Sequence, residues 1–471
     1  MASFYEEVEE PVSPPGQYFN SSVICSYVFG FLESAVPIDD SQALTLIKDV
    51  FLPINPRFSS IMVTGKDGKK MWKRVEVKPE EHVKIPTFPE DPSTEFYDQY
   101  LSDYVSIILT EKTPQTKPLW EIHIIKYPTT NAKGTLIFKL HHALGDGYSL
   151  MGALLSCLQR ADDPSLPLSF PSKAAAAATK PDSSQYPKKK LFIKKLPSIV
   201  SSFFNSLSDS GWSIIKSRLM KDDKTPIRSG FEGSESKTFT LSNISLSLDQ
   251  IKGIKSKLGV TINDVITGMI FYGLRLYMQE MNNKSKTSES TAVVMLNTRN
   301  IEGYRSVKDM LNPNSKGLWG NQISFLQVSI PKLTQKRISN PLEFVRDAHK
   351  LIKKKRRSFG VYVIGLILSL EMKLRGPEAV AKNIYNTLEN SSVVVSNLMG
   401  PVEKMALANH PVNGLYFTMT GLPENVNITI MSYVNTLRIT MRTMKGFVDE
   451  QKFKSCMEKS FEVISKSAME T

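Results

Sequence analysis

A chain of 471 residues, 41% hydrophobic and 22% charged, has the composition of a folded globular protein and is long enough for two ordinary domains. Its net charge of +13 and pI near 9.3 call for an anionic partner. Anionic lipid headgroups or a phosphate-rich cofactor fit better than nucleic acid, because no zinc-finger spacing, RNP string or basic heptad is present. Cys25, Cys157 and Cys456 are too scattered for a disulfide framework or a metal cluster and suit a reducing compartment. The acidic N-terminus is no signal peptide, and no run of about 18 apolar residues marks a transmembrane helix.

In chain order, residues 10–16 form a proline-restricted extended entry. Residues 39–51 read as a helix with Ala43, Leu44, Ile47 and Val50 or Phe51 on its apolar side. Residues 59–63 and 72–77 are strand-like, and 96–106 is helical with Tyr97, Tyr100, Leu101 and Tyr104 on one side. Pro118-Leu119-Trp120 opens a strand through Ile122, Ile124 and Ile125, with Trp120 as a buried cap. Residues 135–142 suit a buried strand whose alternation puts His142 on one face and His141 on the other. Ala143-Leu144-Gly145 turns, Asp146 stands where an N-cap belongs, and Leu150, Leu154, Cys157 and Leu158 follow at helical spacing. An imidazole at a strand end, with a carboxylate four residues later and glycines (Gly145, Gly147) on both sides of it, suits a general base held in one orientation.

After Arg160 the composition turns to Pro, Ser, Ala and Lys, as in a linker. Residues 191–220 then mix Phe192, Ile199, Phe203, Phe204 and Trp212 with Lys194, Lys195, Lys216 and Arg218. Such a segment either lies on an anionic membrane surface or packs as an amphipathic helix on its own protein. The second half opens with a strand near Phe239, a helix over 246–258 ending at Gly259, and a long buried helix entered through Asn263-Asp264. A strand over 291–296 leads to Arg299, whose guanidinium fork makes it the expected partner of Asp146. Asn321 precedes a strand over 323–330 and either donates to substrate or finishes a turn. A helix starting at 339–341 ends in a basic run over 353–357 that reads as a solvated face. The apolar stretch 360–370 is too short to cross a membrane but able to pack in the core or dip into an interface. A strand over 392–396 runs into a turn at Asn397, and strands over 414–420, 427–434 and 437–442 complete a second sheet before a last amphipathic helix over 449–466.

The string His141-His142-Ala143-Leu144-Gly145-Asp146-Gly147 resembles the HHxxxDG signature of the CoA-dependent acyltransferase superfamily. The chain as a whole is similar to the plant-type wax ester synthase/diacylglycerol acyltransferases, and the resemblance covers nearly its whole length. Pro118-Leu119-Trp120, Asn263-Asp264, Gly320-Asn321 and Ser396-Asn397-Leu398-Met399-Gly400-Pro401 match further motifs in the family's order. The resemblance implies an α/β fold of two chloramphenicol acetyltransferase-like subdomains, each a mixed sheet with flanking helices, around a central tunnel. Residues 1–160 would carry the motif, 161–235 the crossover linker and 236–471 the second subdomain.

By the same resemblance His142 is the catalytic base, while Asp146, His141, Gly147, Pro118, Trp120 and Arg299 are structural. Asn263, Asn321, Ser396 and Asn397 are candidate substrate-binding residues, with Asn321, Ser396 or a backbone N–H as the oxyanion donor. The implied reaction moves an acyl group from acyl-CoA, as co-substrate, to a long-chain alcohol or diacylglycerol, with no covalent intermediate, bound cofactor or metal. The implied location is the cytosolic face of the endoplasmic reticulum membrane, with the plasma membrane as a second site; oligomeric state stays open. Transfer to a soluble alcohol or amine, and an inactive lipid-binding protein, are the rival readings. The absence of a DFGWG-type string speaks against the first, and the intact His142 and Asp146 speak against the second.

Overall fold

The computed structural model describes residues 10–65, 69–90, 93–166, 168, 221–230, 237–299, 319–357 and 360–470. Most of the 161–235 connection, including the basic amphipathic stretch expected at 191–220, lies outside the described residues. The architecture is α/β with mixed sheets and flanking helices, as expected. One sheet has seven strands, in spatial order Val83–Lys84, Trp120–Ile125, Gly134–His141, Tyr27–Ser34, His410–Thr420, Met405–Leu407 and Gln159–Arg160. A second has six, in the order Ile323–Ser329, Thr291–Asn297, Val393–Met399, Val426–Tyr433, Thr436–Met444 and Phe239–Ser247. Glu10–Pro11, Lys70–Arg74 and Ser60–Thr64 make a small third sheet. Both large sheets are mainly antiparallel; Val393–Met399 runs parallel to both its neighbours, and Val83–Lys84 runs parallel to Trp120–Ile125.

Strand alternation sorts the side chains into three cores. Val28, Leu32, Phe138, Leu140 and Phe417 face one way and pack with the Gly147–Ser156 helix and with Val293, Val394 and Met431 of the six-stranded sheet. Tyr27, Phe29, Phe31 and Ile137 face the other way, against the Thr94–Ile108 helix. The far face of the six-stranded sheet is covered by the helices Leu248–Leu258, Ile262–Met281, Leu342–Arg357 and Glu450–Glu470.

The structure corrects several expectations. The strand expected over 414–420 does not complete the second sheet; as His410–Thr420 it pairs antiparallel with Tyr27–Ser34 in the first, from Tyr27 opposite Thr420 to Ser34 opposite Val412. Leu415, Phe417 and Met419 alternate with Tyr416 and Thr418, all buried, so the pattern announces a doubly covered strand without naming its partner. Gly421, at φ +77°, then turns the chain towards the second sheet; a Cβ there would lie 1.8 Å from the Cys25 carbonyl oxygen. The helix expected over 39–51 begins only at Ala43 and passes into a π-helical turn, Ile47–Phe51. The Asp39 carboxylate accepts from the Ser41 N–H and holds the preceding residues in a turn instead. Leu246 belongs to the strand Phe239–Ser247, and the following helix starts at Leu248 with Ser247 as its cap. Val393–Met399 stays extended through Asn397, where a turn was expected. The chain turns at Gly400, where a Cβ would lie 2.2 Å from the Ser432 carbonyl oxygen. The stretch 360–370 is the first part of Gly360–Glu389, broken at Gly376 (φ 78°, ψ −179°), a conformation essentially reserved for glycine, with Pro377 next.

Gly421→Ala should therefore lower stability by about 3 kcal/mol or more, because left-handed strain and overlap with the Cys25 carbonyl add. A thermal or urea denaturation midpoint equal to that of the unaltered protein would show that the turn relaxes freely.

Candidate functional site

The Gly134–His141 strand delivers the two histidines to opposite faces. The His141 N–H donates to the Leu119 carbonyl at 3.0 Å and the His142 N–H to the Ser26 carbonyl at 2.8 Å, so the backbone is held on both sides. His141 enters the core with Tyr27, their rings 4.8 Å apart. Its Nδ1 accepts the Ala143 N–H at 3.0 Å, which leaves the proton on Nε2, 3.6 Å from Cys25 Sγ. Burial, with smaller contributions from His142 and Lys70, pushes its pKa down to about 3, so it stays neutral and braces the turn.

His142 is held differently. Its ring stacks on Phe19 with centroids 4.2 Å apart. Asn321 embraces it: Nδ1–H donates to Asn321 Oδ1 at 2.9 Å, and Asn321 Nδ2 donates to the His142 carbonyl at 2.8 Å. The second bond fixes which end of the amide faces the ring. The first therefore fixes the tautomer, with the proton on Nδ1 and a free lone pair on Nε2. Burial lowers the pKa of His142 below its ordinary 6.5, against the opposing influence of Asp146 and the Asn321 bond.

Asp146 does not touch the ring. As the N-cap of Gly147–Ser156 it accepts from the Ser149 N–H at 3.0 Å. Arg299 forks onto both its oxygens, Nη1 to Oδ2 at 2.6 Å and Nη2 to Oδ1 at 3.0 Å, with each side chain 1% exposed. The Gln322 N–H also donates to Oδ2, at 2.8 Å. Arg299 Nη2 further reaches Ser149 Oγ and the Gly320 carbonyl, and its guanidinium lies 4.8 Å from the Tyr148 ring centre. One buried knot thus ties the motif loop to the 319–322 segment that carries Asn321. Gly147 lies against the second sheet, where a Cβ would stand 3.0 Å from Leu398.

The remaining candidates divide. Trp120 is fully buried; its indole donates to the Phe58 carbonyl at 2.8 Å and stacks on His82, while the Pro118 carbonyl accepts from its N–H. Ser396 is buried on the strand face it shares with Val394 and Leu398, turned towards the first sheet. Asn397 lies on the opposite face, exposed, and donates to Asn263 Oδ1 at 2.8 Å. Those two asparagines are joined to each other and form no hydrogen bond with His142. Thr261 caps Ile262–Met281, Asp264 completes the capping box, and His349 Nδ1 lies 2.8 Å from Asp264 Oδ2.

Sequence reasoning missed three residues. Phe19 comes from the Pro14–Phe19 helix and carries no signal of its own. Ser149 stands three residues after the cap, a position that could have flagged it; its hydroxyl exchanges hydrogen bonds with both backbone groups of Gly320. Trp319 donates its indole N–H to the Leu144 carbonyl at 3.1 Å, next to a Gly-Asn pair already singled out. Among the described residues no group of three or more His, Cys, Asp or Glu is placed to hold a metal ion.

Two sheets meeting over an HHxxxDG loop define an acyltransferase of the chloramphenicol acetyltransferase type. Residues 50–266 match the wax ester synthase/diacylglycerol acyltransferase catalytic domain and residues 319–465 match the WS/DGAT C-terminal domain. Wax ester synthase/diacylglycerol acyltransferase 11 and 2 of Arabidopsis thaliana are each 30% identical to the chain, over 92% of it and 90% of their own length. The chain belongs to the wax ester synthase/diacylglycerol acyltransferase family, and it is an acyltransferase. The fold is shared with the wax ester synthase/diacylglycerol acyltransferase from Marinobacter aquaeolei VT8 (TM-score 0.59, 17% identity, 97% of this chain and 99% of that one). It is also shared with a trichothecene 15-O-acetyltransferase from Fusarium sporotrichioides (TM-score 0.55, 12% identity, 98% and 95%).

Asp146→Asn should destabilise the protein by about 3–5 kcal/mol, because it leaves the Arg299 guanidinium buried without its counter-charge. Denaturant titration of the two proteins measures the difference, and a change within error would remove the pair from its structural role.

Proposed function

We propose that the chain transfers a fatty acyl group from acyl-CoA to a lipid alcohol, with His142 as general base. The observation that carries this is the Asn321 clasp, which leaves one unprotonated nitrogen, Nε2, on a ring held against rotation. Nε2 takes the proton from the acceptor hydroxyl as its oxygen attacks the thioester carbon. The tetrahedral adduct then expels the CoA thiolate, which receives the proton from the imidazolium. A thioester is already activated, so alignment of the two reactants and one base supply most of what the reaction needs. Ser396, on the strand face turned towards the motif loop, is the candidate oxyanion donor. The family resemblance implies that the two substrates reach His142 through a tunnel between the two sheets.

The acceptor is a long-chain alcohol, giving a wax ester, or diacylglycerol, giving triacylglycerol. Lipid acceptors fit the surface as well. Leu366, Leu370 and Leu374 recur every four residues along Gly360–Glu389, and each is more than half exposed, beside the exposed Lys373 and Arg375. That apolar stripe and the net charge of +13 support work at an anionic membrane surface, on the cytosolic face of the endoplasmic reticulum. No helix among the described residues is long and apolar enough to cross a membrane.

Labelled acyl-CoA offered in parallel to hexadecanol, diacylglycerol and a phenolic alcohol should yield lipid esters and no phenolic ester, and His142→Ala should lower kcat by roughly a hundredfold or more. Full activity in that variant would take His142 out of the mechanism, and a phenolic product would move the enzyme to the soluble-acceptor class. The pH profile tests the clasp. With burial holding the base below 6.5, kcat/KM should rise with pH along a limb centred below 6.5 and then level off. Asn321→Ala removes a bond that raises the pKa, so its limb should move to lower pH while kcat drops by up to roughly a hundredfold. Asn321→Asp, which sets a carboxylate against Nδ1–H, should move the limb to higher pH.

A further inference from the structure

Leu136 and Phe138 share a strand face with His142, and away from the motif loop they floor an apolar pocket of about 670 Å³, counting its open mouth. Ile47, Val50, Phe51 and Cys157 complete the walls, while the polar groups sit at the rim. Asp40 there pairs with Lys126 at 2.5 Å. His410 Nδ1–H donates to the Leu407 carbonyl and its Nε2 accepts the Asp39 N–H at 2.9 Å, so the rim joins two loops. Burial pushes the Cys157 thiol up to about 12, which makes it a wall and not a nucleophile.

Two unusual pieces of backbone border this space. One wall is the π-helical turn Ile47–Phe51, a geometry that occurs mostly where function requires it. Across the pocket, the hairpin turn between Met405–Leu407 and His410–Thr420 holds Ala408 at φ 47° and Asn409 at φ 65°, and left-handed backbone is unfavourable for alanine. Rings run from the pocket back to the site: Phe138 to Phe51 (6.4 Å), Phe51 to Phe58 (4.4 Å) and Phe58 to Trp319 (6.1 Å). Trp319 is two residues from Asn321.

We infer that this pocket receives the far end of an unbranched alkyl chain whose reacting end lies at His142, and that its depth sets the chain length the enzyme prefers. The inference rests on the fatty acyl transfer proposed above. An unbranched chain fits because, the Cys157 thiol apart, the interior is lined by hydrocarbon and aromatic side chains, and because Asp40 and His410 at the rim are already paired. Four residues of strand separate Phe138 from His142, roughly 14 Å, so a short chain bound at His142 stops before the pocket. Either substrate can supply the chain: the acyl group or the alcohol.

Cys157→Phe and Ala43→Trp fill the pocket from two walls, and neither residue touches His142, Asn321 or the Asp146–Arg299 pair. With the intact protein and each variant, kcat/KM is measured for octanoyl- to stearoyl-CoA at one fixed alcohol, and for octanol to octadecanol at one fixed acyl-CoA. The long-chain substrates of one series should lose tenfold or more, at about fourfold per excluded methylene, while octanoyl-CoA and octanol keep their rates. Loss confined to the acyl series assigns the pocket to the thioester, and loss confined to the alcohol series assigns it to the acceptor. Length profiles unchanged in both folded variants, or a uniform fall at every length, overturn the inference. If the unaltered protein transfers no acyl group at all, the function proposed above fails separately. Binding of the fluorescent fatty acid cis-parinaric acid then decides the pocket: a Kd raised tenfold by Cys157→Phe supports it, and an equal Kd overturns it.

Discussion

The active loop depends on a buried ion pair that makes no contact with the ring it serves. Taking Asp146 and Arg299 out of water costs about as much as their attraction returns, so such a pair adds little net stability while its loss is severe. Its value here is positional. Asp146 answers the Ser149 N–H at a helix start, a guanidinium from the 297–299 segment and the Gln322 N–H at once. These three elements belong to both large sheets and to the segment that carries Asn321. Asn321 can therefore meet His142 only when both halves of the chain are assembled.

The two adjacent histidines show how strand geometry separates tasks that sequence proximity confuses. Each is buried, and each has a pKa lowered chiefly by burial. His141 spends its Nδ1 lone pair on the Ala143 N–H and so hardens the turn. His142 gives up its Nδ1 proton to an amide and keeps Nε2 free. Exchanging the partners would exchange the tautomers, and the face bearing Phe19 and Asn321 would then present an N–H in place of a free lone pair. A neutral amide partner holds the ring without the large pKa increase that a carboxylate there would bring.

Much of this was legible in the sequence because it is local or chemically paired. The strand, tight turn and capped helix follow from alternation, glycines and an N-cap within about twenty residues, and the match of Arg299 to Asp146 follows from fork and carboxylate. What was illegible is long-range. Phe19 reaches His142 from more than a hundred residues away, and nothing in its neighbourhood marks it as a stacking partner. The His410–Thr420 strand has the alternation of its neighbours, so only tertiary packing moves it into the other sheet. The π-helical turn was hidden because one extra residue in a turn barely disturbs apolar spacing over so short a helix. Asn263 and Asn397 lie close to each other but outside the hydrogen bonding around His142, a distinction that strand alternation at Ser396 and Asn397 makes and motif spacing does not.

That displaced strand also links the His142 end of the site to the pocket. His410 at its start is the rim clasp, and Thr420 at its end accepts a hydrogen bond from Ser26 Oγ through its carbonyl. The Ser26 carbonyl in turn holds the His142 N–H. The strand's ten steps, one of them taken up by a bulge between Val412 and Gly414, span roughly 30 Å, and a hydrogen-bonded strand does not change length when substrate binds. The separation between His142 and the rim is thus fixed by a covalent ruler inside a sheet, and a mobile lid is not needed to set it. Variation in the hairpin turn at Ala408-Asn409 or in the Ile47–Phe51 turn can reshape the pocket while leaving His142, Asn321 and Asp146 in register. If the pocket holds the alkyl chain as inferred, such a division lets the chain-length preference change without rebuilding the loop at His142.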